Sequence, residues 1–332
     1  MLLKRARRDE RTTRATDTLS LYYASDVHGS ELCWRKFLGA GRFYGVQALV
    51  MGGDLAGKAI VPVTRDADTG AFSATFIGEG RSGSTREELD ELLGAIRFNG
   101  MYPWIASAAQ VAAAHEDEAA RGQLFEELVV AELQSWIALA DERMSEYGIE
   151  VFVMPGNDDP WSCDTVIEAA RHVQACDDRI VSVGGHEMVS CGYSNPTPWH
   201  TPRELDEDAL YRRIKALADQ LEDPGSAIFN LHVPPYDSGL DTANEMNPDL
   251  TLRYVGGQPN PIPVGSTAVR QLIEEFQPLL ALHGHIHESR GEVRIGRTLA
   301  INTGSEYNSG HIHGVVVTLA GSEVRKHQFV VG

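Results

Sequence analysis

Five short apolar segments of this chain each end in a cluster of aspartate, histidine or asparagine. The segments predict buried strands, because they are rich in β-branched and aromatic residues and are bounded by turn residues. Strand carboxyl ends gather on one rim of an open α/β sheet, where such folds build their sites. One such cluster alone is more often a turn or a helix cap. Five together predict a single site, formed by Asp26 and His28, Asp54, Asn157 with Asp158 and Asp159, His232, and His285 with His287.

The donor types in these clusters are those of a metal centre. Carboxylate, imidazole and amide oxygen are hard or borderline ligands for divalent cations. The four cysteines contain no C-x-x-C pair and predict buried thiols in a reducing compartment, not a disulfide framework or a zinc knuckle. The sequence therefore indicates a site built from oxygen and nitrogen ligands.

The chain divides into three segments by pattern. Residues 1–17 are basic and poor in apolar side chains, which is typical of a flexible tail. Residues 18–330 predict one α/β domain, interrupted by residues 58–147. This interruption predicts a hairpin around 66–70, a capping box at Thr85 and a long helix from Gln123 to Tyr147. We expect it to be a cap, a dimerisation subdomain or both, and we also expect a helix near Thr165 to Ala175.

Charge and hydropathy limit the partners. The formal net charge of −18 would repel a polyphosphate backbone, so nucleic-acid binding is not expected unless positive charge is locally concentrated. A span of roughly 18 apolar residues, which a membrane helix needs, is not present, and neither is an apolar signal core. A cytoplasmic protein without a membrane partner is therefore expected.

The order of the motifs, D-x-H, G-D, G-N-x-D, H and G-H-x-H, resembles the signature of the calcineurin-like metallophosphoesterases. The resemblance spans Asp26 to His287, most of the chain. It implies an α/β fold of two stacked mixed β-sheets flanked by helices, which is the four-layer α/β/β/α sandwich of that family. The insertion at 58–147 would then pack near the mouth of the site.

The resemblance also implies a ligand set for two divalent metal ions, Mn²⁺ or Fe, with Zn²⁺ as the alternative. Asp54 would bridge both metals at a spacing of about 3.5–4 Å. A hydroxide between them would attack phosphorus in line. The first metal would be held by Asp26, His28, Asp54 and His287, and the second by Asp54, Asn157, His232 and His285.

One position departs from the family pattern. Many members carry a histidine after the asparagine of G-N-x-D, where it helps to protonate the leaving oxygen, and here that residue is Asp158. An aspartate beside two dications should be ionised at pH 7 and act poorly as a general acid. Asp159 would orient its neighbours by hydrogen bonding, and His200 is a candidate to replace the missing acid.

The function expected from this reasoning is hydrolysis of a phosphodiester or phosphomonoester. A site without a dedicated general acid favours activated leaving groups, which gives the diester a slight advantage. The substrate would be a small phosphoester or a nucleotide. Two alternatives stay open: a metal-binding scaffold that recruits a partner, and a nuclease with a locally positive groove. A homodimer through residues 58–147 is a further expectation.

Overall fold

The computed structural model describes residues 18–332, so the predicted tail at 1–17 lies outside the described residues. The described part is a mixed α/β fold with several sheets and seven α-helices. The helices are α1 (Glu31–Tyr44), α2 (Arg86–Phe98), α3 (Ala108–Glu116), α4 (Glu118–Tyr147), α5 (Ser162–Glu168), α6 (Glu207–Ala218) and α7 (Thr267–Phe276).

Twenty strands connect and flank these helices in the described residues. They are β1 (Thr18–Ala24), β2 (Ala48–Met51), β3 (Ile60–Arg65), β4 (Phe72–Phe76), β5 (Glu79–Gly83), β6 (Tyr102–Ala106), β7 (Glu150–Val153), β8 (Val173–Ala175), β9 (Arg179–Val183), β10 (His186–Cys191), β11 (Ile228–Leu231), β12 (Thr242–Asn244), β13 (Tyr254–Val255), β14 (Gln258–Pro259), β15 (Pro261–Pro263), β16 (Leu280–His283), β17 (Gly291–Ile295), β18 (Thr298–Asn302), β19 (His313–Ala320) and β20 (Glu323–Val331).

Two six-stranded sheets carry most of these strands. The first has the order β20-β19-β1-β2-β7-β8 and the second the order β17-β18-β16-β11-β10-β9. In the first sheet β1, β2, β7 and β8 run parallel, and in the second β10, β11, β16 and β18 do. The polar clusters follow parallel strands, as the pattern of apolar segments predicts.

Alternation along β1 shows how the sheets are packed. Leu21 and Tyr23 belong to a core that also contains Ile228 and Leu280 of the second sheet, so this core joins the two sheets. Tyr22 lies on the opposite face, in a core shared with α1, α4 and α5. A third core packs α6 and α7 against the second sheet. Successive side chains of a strand point to opposite faces, so a strand buried on both faces reads as continuously apolar.

Residues 58–147 pack in two different ways. The hairpin of β3 and β4 belongs to a four-stranded sheet, in the order β5-β4-β3-β6, and has its own small core with α2. The long helix α4 instead joins the core of the first sheet, where Trp136 stacks on Trp34 of α1 at 5.4 Å between ring centroids. Whether this segment caps the site or mediates dimerisation stays a prediction.

The helix expected near Thr165 to Ala175 is shorter than predicted. It ends at Glu168, and β8 begins at Val173. The cause is a long-range contact, because the carboxylate of Asp141 in α4 accepts hydrogen bonds from the backbone N–H groups of Arg171 and His172. Those groups are therefore not available to continue a helix. No helix in the described part of the chain is both long and apolar enough to cross a bilayer.

Asp177, which follows β8, gives a pH-dependent test of this packing. Its side chain is 13% exposed and accepts a hydrogen bond from Gly192 N at 2.7 Å. Burial raises the pKa of Asp177 to about 6. Since the folded pKa lies above the unfolded value, stability falls as pH rises from about 4 to 6 and is level above that. We expect Asp177→Asn to be more stable than wild type by about 2–3 kcal/mol at pH 7.5, with no such gain at pH 4.

The measurement is urea unfolding of wild type and Asp177→Asn at both pH values. Asp90→Asn is the matched control, because Asp90 is 63% exposed and paired with Arg86. The other titrating groups contribute equally in all three proteins, so the test compares the differences in free energy of unfolding between each variant and wild type. A difference between wild type and Asp177→Asn that is the same at both pH values would contradict this prediction.

Candidate metal centre

The seven predicted metal ligands meet at the carboxyl ends of five strands. Asp26 and His28 follow β1, Asp54 follows β2, and Asn157 follows β7 in the first sheet. In the second sheet His232 follows β11, while His285 and His287 follow β16. The two sheets are joined here directly, because the ring of His232 contacts Gly52 O and His285 N donates to Asp26 Oδ1 at 3.0 Å.

The backbone at these positions is unusual. Asp26, His28, Asp54 and His285 all have positive φ angles, of 58°, 37°, 54° and 67°. Residues other than glycine rarely adopt this conformation, and they keep it only where surrounding contacts hold them. Those contacts include the bonds from Asp26 N to Gly53 O and from His28 N to Asp54 O, both 3.0 Å long. Such strain concentrates at functional sites.

The glycines of the motifs are required by close approach. A Cβ at Gly156 would lie 2.2 Å from Asp54 Oδ1, and one at Gly284 would lie 2.2 Å from Asp26 Oδ2. No side chain fits at such distances. The glycines in G-N and G-H therefore let the backbone pass directly behind the carboxylates.

The first group of ligand atoms comes from Asp26, His28, Asp54 and His287, all within 4.8 Å of one another. His28 Nε2 is 3.1 Å from His287 Nε2 and 3.5 Å from Asp54 Oδ2. His287 Nε2 is in turn 3.5 Å from Asp26 Oδ1. The nitrogens of a buried and a half-buried imidazole, facing each other beside two carboxylates, form a donor set that a divalent cation would satisfy.

The second group comes from Asp54, His232 and His285, again within 4.8 Å. His232 Nε2 is 3.4 Å from Asp54 Oδ1 and 2.9 Å from Asn157 Oδ1. His232 Nδ1 lies 2.8 Å from Gly52 O, so Nδ1 donates its proton to that carbonyl. A hydrogen bond of this kind fixes the ring so that Nε2 faces the site, as metal-ligating histidines require.

Asp54 belongs to both groups. Its Oδ2 faces His28 and its Oδ1 faces His232. One carboxylate thus presents one oxygen to each donor set, which is the geometry that a bridging ligand needs.

Protonation supports the same assignment. Burial lowers the pKa of His28 to about 3 and that of His285 to about 4, so both imidazoles are neutral at pH 7 and can act as ligands. Burial also lowers the pKa of His232, but the Asp54 carboxylate overrides this and raises it to about 10. The same histidine holds the pKa of Asp54 well below its usual range. Two buried carboxylates therefore need positive charge beside them, which bound cations would supply.

Asp158 lies at the edge of this cluster and is paired. Its Oδ2 is 3.0 Å from Lys58 Nζ, and its backbone N donates to Asp54 Oδ1 at 3.1 Å. Burial and the Asp54 carboxylate raise the pKa of Asp158, while Lys58 lowers it. The motif reasoning did not include Lys58. The signal available in the sequence was its place four residues after Asp54, in the loop that begins with that ligand.

Asp159 is fully buried and holds the two loops of the first sheet together. Its carboxylate accepts hydrogen bonds from the backbone N–H groups of Leu55, Ala56 and Gly156, at 2.7–3.0 Å. Arg203, which is also buried, donates to Asp159 O at 3.1 Å. Asp159 therefore positions Asp54 and Asn157 through the backbone.

His200 lies outside the buried cluster. It has a positive φ of 52°, is exposed, and lines a cleft of about 1110 Å³ onto which Asp54, Asn157 and His285 also open. Its role as a replacement for the missing acid stays a prediction.

Comparisons with known proteins support the fold only. The chain is 33% identical over 166 residues to an uncharacterised protein of Methanocaldococcus jannaschii. That match covers 48% of this chain and 66% of the relative, slightly less than two thirds of its length. No family model matches the chain.

Solved structures resemble the chain over most of its length. The crystal structure of TT1561 of Thermus thermophilus is similar with a TM-score of 0.50 and 13% identity, over 91% of this chain and 99% of that one. A structure described as a novel archaeal phosphodiesterase covers 95% of this chain and 100% of its own, with 10% identity and a TM-score of 0.34. The second similarity is too weak to support a shared fold.

Proposed function

We propose that this chain is a dinuclear-metal-dependent phosphoester hydrolase, a phosphodiesterase or a phosphomonoesterase, of the calcineurin-like metallophosphoesterase superfamily. The observation that carries the proposal is the position of Asp54, whose two oxygens face two separate sets of ligand atoms. The motif order supports the family. The cores on both faces of the first sheet and on the outer face of the second support the four-layer arrangement proposed for it.

The residues of the chain have distinct tasks in this proposal. Asp26, His28 and His287 would hold one cation, and Asn157, His232 and His285 the other, with Asp54 common to both. Bound divalent cations, which we expect to be Mn²⁺ or Fe, would polarise the phosphoryl oxygens and lower the pKa of a water molecule toward 7. Asp159 keeps the Asp54 and Asn157 loops in register through its backbone hydrogen bonds. Lys58 offers a positive charge to the phosphoryl group from the cleft wall.

The direct test is hydrolysis of bis(4-nitrophenyl) phosphate and 4-nitrophenyl phosphate by the purified protein with added Mn²⁺. We expect turnover that requires metal and is lost on chelation, together with up to two metal ions per chain by elemental analysis. Bound metal without turnover of either ester would favour the scaffold alternative. Protein that retains only trace metal would contradict both.

His232→Ala should empty mainly one of the two sites. His232 and His285 belong to the second group of ligand atoms, whereas the first group does not include them. We therefore expect the metal stoichiometry in a titration to fall from two to about one, with one tight site remaining. Two sites of unchanged affinity would contradict the ligand assignment. His186→Ala is the matched control, because His186 is also buried but bonds to Ser226 O, outside the cluster.

A further inference from the structure

The cleft beside the metal centre is larger than a phosphoryl group needs. Its volume of about 1110 Å³ is slightly above the range, roughly 300–1000 Å³, in which proteins bind whole organic ligands. Besides Asp54 and His285, it is lined by side chains of the 195–202 loop and of the β12 and β15 region. The space that the phosphoryl group leaves free is therefore available to the organic part of a substrate.

The charge of the cleft limits how many phosphates such a substrate carries. Lys58 is the one lysine or arginine among the described residues that line it, and it is already paired with Asp158. Glu207, Glu245 and Glu288 also line the cleft. Proteins bind polyphosphates and nucleic-acid backbones with several lysines or arginines. This cleft suits a ligand with a single phosphoryl group.

Two aromatic rings in the cleft are exposed. Trp199 is 59% and Tyr236 is 40% exposed, and both line the cleft. Large aromatic side chains in a concave site usually provide a surface for an apolar or planar ligand group.

The loop that carries Trp199 is braced and connected to the metal centre. Glu204 Oε1 accepts hydrogen bonds from Thr197 Oγ1 at 2.6 Å and from Thr201 N at 2.8 Å. Thr201 Oγ1 accepts another from Asn157 Nδ2 at 2.8 Å. Three prolines stiffen the same loop, namely Pro196, Pro198 and Pro202. The backbone that carries Trp199 is thus held in place, and connected to a predicted metal ligand, before any substrate binds.

From these observations we infer that the substrate is an ester of a single phosphoryl group with a bulky, ring-containing organic group that carries no further negative charge. The ring packs against Trp199 and Tyr236, and Lys58 contacts a phosphoryl oxygen. This inference rests on the proposed function and specifies its substrate class.

The test compares phenylphosphonate with methylphosphonate, which share the phosphoryl group and differ only in the organic part. Binding to the Mn²⁺-loaded protein is measured by calorimetry. We expect wild type to bind phenylphosphonate about tenfold more tightly, and Trp199→Ala to lose most of that preference. Tyr236→Ala, an independent variant, should reduce the preference too. Lys58→Met should weaken both ligands alike, by about tenfold.

Phe43→Ala is the matched control, because Phe43 is 81% exposed on α1 and does not line the cleft. The Phe43→Ala variant should prefer phenylphosphonate over methylphosphonate to the same extent as wild type. The inference would be overturned if wild type bound phenylphosphonate and methylphosphonate with equal affinity. It would also be overturned if the ratio of the two affinities were the same in wild type and in both aromatic variants. ADP binding more than tenfold tighter than AMP would overturn its single-phosphate part.

Measurements of turnover distinguish a failure of this inference from a failure of the proposed function. Phenyl and methyl esters of 4-nitrophenyl phosphate have the same leaving group, so a difference in kcat/KM reports the other organic group. Turnover of both esters at equal kcat/KM, unaffected by Trp199→Ala, would overturn the inference and leave the hydrolase proposal intact. If neither ester is turned over but phenylphosphonate is still preferred, the hydrolase proposal and the assignment of a substrate are overturned, and only the ring-binding role of the cleft remains.

Discussion

Asp54→Asn should abolish metal-dependent hydrolysis. Asp54 is the residue shared by both sets of ligand atoms, and its two oxygens lie 3.5 Å from His28 Nε2 and 3.4 Å from His232 Nε2. Asparagine keeps the size but offers one neutral oxygen, and its amide nitrogen would face one of the two cations. Loss of a residue that merely supports a ligand costs about 10–100-fold in metal affinity, so loss of the shared ligand should cost more than about 100-fold.

The measurement is metal content by elemental analysis together with turnover of bis(4-nitrophenyl) phosphate. Asp68→Asn removes the same charge from an exposed turn and should behave as wild type. Circular dichroism checks that Asp54→Asn is folded, because the Asp54 carboxylate also pairs with His232 in the metal-free chain. A variant that retains two metals and more than a tenth of wild-type turnover would contradict the bridging role.

The strand-end clusters were predictable because their signals are local. Each ligand follows an apolar run directly, and the glycines beside Asn157 and His285 mark places where the backbone passes a carboxylate. The mixed α/β class follows from the same alternation of apolar runs and helical segments. Local sequence was therefore sufficient to predict that these seven side chains lie at one rim of the sheets.

Other features depend on contacts between distant parts of the chain and give no local signal. The pairing of Lys58 with Asp158 joins residues 100 positions apart, and the hydrogen bond from Asn157 to Thr201 connects two loops. The helix α4 shares a core with α1 because Trp136 meets Trp34. The amphipathic pattern of α4 predicted a helix but not its partner.

The carboxylate of Asp159 gives the largest expected effect on folding. Asp159→Ala leaves the buried N–H groups of Leu55, Ala56 and Gly156 without their acceptor. Each unsatisfied buried donor costs about 1–3 kcal/mol, so we expect the loss of the acceptor for three donors to lower the free energy of unfolding of the metal-free protein by at least about 3 kcal/mol. Because the same groups position Asp54 and Asn157, metal affinity should fall as well.

The pH of this experiment decides what it measures. Burial, together with the Asp54 carboxylate, raises the pKa of Asp159 to about 7, so at pH 5.5 the metal-free chain holds this carboxyl protonated. Urea unfolding at pH 5.5 therefore tests the accepting oxygens and not the charge. Asp159→Asn is the matched variant, because it keeps one oxygen for Leu55 and Ala56 but turns an amide nitrogen toward Gly156 N. We expect the free energy of unfolding of Asp159→Asn to fall by about half as much as that of Asp159→Ala. Equal losses in the two variants would contradict a stabilising role for the hydrogen bonds from the Asp159 carboxyl to Leu55 and Ala56.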